Sequence, residues 1–100
     1  MNFGEHIKQL REQNQLLQRK LANELDMDTA MLSKIERGER RAKREHIPLL
    51  ATLLQTSEKE LFTIWMADQV YNLIKEENNA SEILKVAESE IKYNINKSNQ

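Results

Sequence analysis

Cysteine is absent from this chain of 100 residues, which excludes disulfides, a thiolate nucleophile and cysteine-based zinc sites. A reducing compartment is therefore permitted. Only two glycines and one proline occur, so turns must be few and short, and there is no glycine-rich phosphate loop. Long apolar runs are missing too: none approaches the roughly 20 residues a membrane helix needs. The opening Met1-Asn2-Phe3-Gly4-Glu5 has no signal-peptide pattern, and the expectation is a cytoplasmic chain with no membrane partner. Catalytic constellations are lacking as well. The two histidines, His6 and His46, have no motif partner, and the carboxylates fall at helical surface positions. The chain is read as a non-enzyme, with no cofactor and no metal site.

What is present is a composition of 39% hydrophobic and 31% charged residues, suited to one helical core. The formal net charge of -1 hides a division along the chain. Residues 1–56 carry ten Lys and Arg against eight Asp and Glu, a net +2, whereas residues 57–100 carry five against eight, a net -3. All six arginines lie in the first part. Between Lys34 and Arg44 stand six basic residues and two acids, a local stripe of +4. Such a stripe can meet phosphates, and it equally suits solubility.

Apolar residues recur at helical spacing nearly throughout, without sustained alternation, which predicts an all-α chain. Phe3, Ile7 and Leu10 mark one helical face and Leu17, Leu21 and Leu25 a second, closing at Asp26. Asp28 can cap a third helix with Leu32 and Ile35 facing inward, and Gly38 stops it. Pro48 fits only a first turn, so a fourth helix is expected from Glu45 or His46, burying Ile47, Leu50, Ala51 and Leu54. Ser57-Glu58-Lys59-Glu60 reads as a capping box for a fifth helix running to about Glu77. A sixth is expected from Ser81 to Tyr93, with residues 96–100 as a frayed, disordered tail. Helix five is so rich in large apolar groups that a second copy is expected to cover part of it. Phe62, Trp65, Met66, Val70 and Leu73, with Leu84 and Ile91 of helix six, are the expected dimer interface.

Two short helices, a tight turn and a basic segment after them suggest a major-groove reader, though many small bundles share that outline. The residues themselves narrow the choice. Leu21-Ala22, Leu25-Asp26-Met27 and Leu32-Ser33-Lys34-Ile35-Glu36-Arg37-Gly38 closely resemble the phage-repressor and Cro-like helix-turn-helix family, also called the XRE family. Leu10-Arg11, Gln18, Ala51 and Leu53-Leu54 before Ser57 extend the match, which covers about residues 3–61. The resemblance implies a lambda-repressor-like five-helix DNA-binding domain over residues 1–61. An extended fifth helix and an additional C-terminal helix would follow, as a dimerising extension over residues 62–95.

Roles follow from the resemblance as expectations. Thr29, Ala30, Ser33 and Lys34 would face base edges, with Gln18 on a phosphate at the start of helix two. Arg37, Arg40, Arg41, Lys43 and Arg44 would contact the DNA backbone, and His46 beside them can touch phosphate. Arg11 and Glu36 would form a structural ion pair. Three residues depart from the family pattern: Leu17 where a Ser or Thr cap is usual, Asp26 in place of the turn glycine, and Asp28 close to the phosphates.

The implied function is a sequence-specific regulator of transcription on double-stranded DNA, a repressor acting as a homodimer. Two alternatives remain open at this point. One is an antitoxin-type module whose helices five and six hold a protein partner while the front half represses its own operon. The other is the controller protein of a restriction-modification system.

Overall fold

The computed structural model describes residues 2–98, and among them it contains six α-helices, one 3-10 turn and no strand. The order is α1 (Phe3–Gln13), α2 (Gln18–Glu24), α3 (Thr29–Glu36), the 3-10 turn Arg44–His46, α4 (Ile47–Leu53), α5 (Glu58–Ile74) and α6 (Ala80–Ser98). The all-α reading therefore holds. Starts are capped by short polar side chains: Asn2 accepts from the Glu5 N–H at 2.9 Å, Asp28 from Met31 at 2.7 Å and Ser57 from Glu60 at 3.2 Å.

The ends of α1 to α4 share one device. A residue in the left-handed region follows each helix, at Gln15, Asp26, Gly38 and Gln55. The next N–H then reaches back five residues, from Leu16 to Arg11, Met27 to Ala22, Glu39 to Lys34 and Thr56 to Ala51, at 2.9–3.0 Å. These are Schellman endings, which satisfy carbonyls the helix leaves open. Glycine scarcity thus does not prevent tight turns; it leaves three of four to be made by other residues.

The chain divides into two units, one extending to Asp68 and the other beginning at Gln69. In the first, Ile7, Leu21, Leu32, Ile47, Leu50, Leu54 and Leu61 are fully buried and Phe3, Ile35 and Trp65 pack with them. The first turns of α5 belong to this unit because Leu61 and Trp65 are part of its core.

Several expected boundaries move. α4 starts at Ile47 rather than Glu45 or His46, because Arg44–His46 close a tighter 3-10 turn and put Pro48 in the first turn of the helix. α5 stops at Ile74, before Glu76 and Glu77, whose charges oppose the negative end of a helix. α6 begins one residue early, at Ala80, and runs on through Ser98, so the first three residues of the expected tail are helical. Lys97 in its last turn suits that end of the helix. Asn99 and Gln100, the rest of that tail, lie outside the described residues. Leu17 also departs from expectation. It is the extended residue before α2 and is 59% exposed, while its neighbour Leu16 packs on the core. No helix among the described residues is long and apolar enough to cross a membrane.

Candidate nucleic-acid interface

The turn between α2 and α3 is tight because Asp26 takes φ 56°, the conformation its short polar side chain tolerates where a glycine would be usual. α3 then begins under the Asp28 cap. Its inward side carries Leu32, Ile35 and the carboxylate of Glu36, all buried. Thr29, Ala30 and Lys34 are left on the exposed side. That side offers methyl groups and one ammonium, groups able to meet a thymine methyl, a guanine edge or a phosphate.

A polar network fixes α3 from below. Glu36 is only 4% exposed, yet its carboxylate is fully engaged. Arg11 of α1 donates through Nε to Oε2 at 2.7 Å and through Nη2 to Oε1 at 3.2 Å. Gln18 of α2 adds its Nε2 to Oε1 at 2.8 Å. Arg11 Nη1 also donates to the Leu16 carbonyl at 2.8 Å, and the Ser33 hydroxyl donates to Gln18 Oε1 at 3.0 Å. Three helices therefore meet on one charge. Removing either partner of a buried pair leaves the other unpaired, a loss of roughly 3–5 kcal/mol.

The network also engages two residues expected at the DNA surface. Gln18 and Ser33 are half-buried and bonded to each other, so neither is a free outward group. The Ser33 hydroxyl gives its only proton to Gln18 and keeps acceptor capacity alone. Among Thr29, Ala30, Ser33 and Lys34, the side-chain donors left exposed are Lys34 and the Thr29 hydroxyl.

The segment after α3 is basic outside and anchored inside. Ala42, the one apolar residue among Arg40, Arg41, Lys43 and Arg44, is 2% exposed. Its carbonyl accepts from the Trp65 indole N–H at 2.8 Å. Arg40, Arg41, Lys43 and Arg44 are then held on the surface around that anchor. Arg44 lies over the Phe62 ring, 4.8 Å from its centre. Arg37 is bonded to Glu39 through two nitrogens, at 2.8 and 3.0 Å, with both side chains more than half exposed. Such a surface pair is worth little and can open for a stronger acceptor.

Of the residues expected at a subunit interface, Trp65 is buried within the first unit and Phe62 is partly buried against the same core. The periodic apolar signal is identical for a core and for an interface, and the polar handle of the indole is what distinguishes them here. Met66, Val70, Leu73, Leu84 and Ile91 are exposed. Residues that sequence reading passed over include Gly4, Ala42, Asp68 and Asn14, whose amide bridges the carbonyls of Leu10 and Leu54 at 2.7 and 3.1 Å. Only Ala42 carried a legible signal, as an apolar break in a basic run.

This arrangement of α2, turn and α3 defines a helix-turn-helix unit. The family model described as helix-turn-helix domain matches residues 2–62, and the chain belongs to that family. No curated protein and no solved structure matches the chain.

Proposed function

We propose that the protein is a sequence-specific regulator of transcription of the phage-repressor (XRE) type, acting in the cytoplasm on double-stranded DNA as a binding protein rather than an enzyme. The observation that carries this reading is the exposed face of α3, with Thr29, Ala30 and Lys34 outward, while Glu36 at its far end is locked to α1 and α2. A rigid helix with one polar face outward is what base readout in the major groove requires. Arg40, Lys43 and Arg44 flank it with charge for phosphates, and Arg37 and Arg41 stand beside them. Gln18 is retained as a phosphate contact through the amide hydrogen not given to Glu36.

The working form is a homodimer that represses by occupying a two-fold site. In the second unit, Ala80, Leu84, Ala87 and Ile91 recur along α6 at spacings of four, three and four, flanked by Ile83 and Ile95. Ile91 and Ile95 are more than half exposed and Leu84 nearly so. A second copy of the same stripe covers these groups, and two-fold pairing then supplies two recognition helices about 34 to 36 Å apart.

Selection of bound duplexes from a random pool tests the reading. It is expected to return a palindromic motif, bound with a steep loss of affinity as salt rises. Recovery of no motif, with no binding in dilute salt, would remove DNA from the account.

A further inference from the structure

The first turn of α1 holds two other elements at once. The Phe3 backbone N–H donates to Asp68 Oδ2 of α5 at 2.7 Å. The next residue, Gly4, is buried against the last turn of α3. A methyl group on Gly4 would stand 2.6 Å from the Glu36 carbonyl oxygen and nearer still to that of Ile35. Only a residue without a side chain permits that approach. Asn2 completes the junction, capping Glu5 while its amide nitrogen lies 3.7 Å from where a Gly38 Cβ would be. The N-terminal end of α1 carries partial positive charge, and it rests on the C-terminal carbonyls of α3, which carry partial negative charge.

We infer that this junction sets the angle of the recognition helix, with Gly4 as its seat and Asp68 as its tie to α5, so that both are positioning residues for DNA binding. The inference rests on the DNA-binding reading of α3. Glu36 is gripped twice, by its side chain through Arg11 and by its backbone through Gly4. The opposite end of α3, carrying Thr29 and Ala30, is exposed. With eight residues, α3 is about 12 Å long, and a displacement at the gripped end is carried to the base-reading end. Misplacement of a contacting group by about 1 Å is costly where geometry is selective and matters little for unspecific charge contacts.

The test uses the full chain carrying Asp68→Ala, Asp68→Asn or Gly4→Ala. Affinity is measured for a selected duplex and for a random one, beside amide exchange at Arg37, Gly38 and Glu39. Asp68→Ala removes one charge-assisted hydrogen bond, and about a tenfold loss on the selected duplex is expected, with less than about twofold on the random one. Exchange at residues 37–39 speeds up more than in the core of the first unit. Asp68→Asn still offers an acceptor to Phe3 and restores both readouts. Gly4→Ala, if it folds, shows the same selective loss, and if it does not fold, the Asp68 pair decides. Unchanged exchange and affinity in Asp68→Ala, or an equal loss on both duplexes, would overturn the inference. Failure of the unaltered chain to bind any duplex would instead sink the DNA reading, with the exchange comparison still deciding whether the joint holds α3.

Discussion

Gln15, Asp26 and Gln55 adopt φ of 54°, 56° and 55°, and only Gly38 fills the equivalent position with a residue that takes it freely. A side chain in that region costs on the order of 1 kcal/mol, so the short turns of this chain carry local strain. Asp26 was legible in the sequence as a left-handed turn residue. Gln15 and Gln55 were not, since glutamine carries no turn signal and only the Schellman hydrogen bonds reveal the conformation. Gln55 lies between α4 and α5, away from the α3 surface in sequence and exposed. Gln55→Gly is therefore expected to stabilise the protein by about 0.5–1 kcal/mol, relieved strain outweighing the greater freedom of glycine in the unfolded chain. Thermal unfolding checks this: the midpoint should rise by a few degrees while duplex affinity stays the same.

At the scale of elements, α2, the turn and α3 were readable because their apolar spacing, the Asp28 cap and the Gly38 stop all agree. The partition of α3 into inward Leu32 and Ile35 and outward Thr29, Ala30 and Lys34 follows from helical period alone. What the pattern could not give was the role of residues on the margin, where Ser33 and Gln18 turn toward each other rather than outward. Nor could it separate Trp65 as an anchor of the basic loop from Trp65 as an interface group, because periodicity reports burial without its partner. The division of labour between α3 and the loop has a direct check. Lys34→Ala is expected to change which bases are preferred, whereas Arg40→Ala weakens all sequences alike and lowers the salt slope by about one ion. Equal losses for Lys34→Ala on selected and random duplexes would take Lys34 out of base readout.

For the whole molecule, the uneven charge of the sequence agrees with the proposed division of tasks. The basic stripe and all six arginines fall in the first unit, whereas α6 balances three glutamates with three lysines. An apolar-striped α6 with no net charge and no arginine is better suited to protein contact than to phosphates. Replacing Leu84 and Ile91 together by glutamate should yield a folded monomer in sedimentation, because both side chains are exposed and no core is opened. That monomer should lose well over about tenfold in affinity for a two-fold site while keeping its affinity for a single half-site. A double variant that stays dimeric would move the interface elsewhere.

The central claim is that the outward face of α3 is the surface that meets DNA. Backbone amide shifts recorded while a selected duplex is added report that surface directly. The largest changes are expected across Thr29–Lys34 and residues 40–44, with α6 little changed. Shifts concentrated on α6, with α3 silent, would contradict the account.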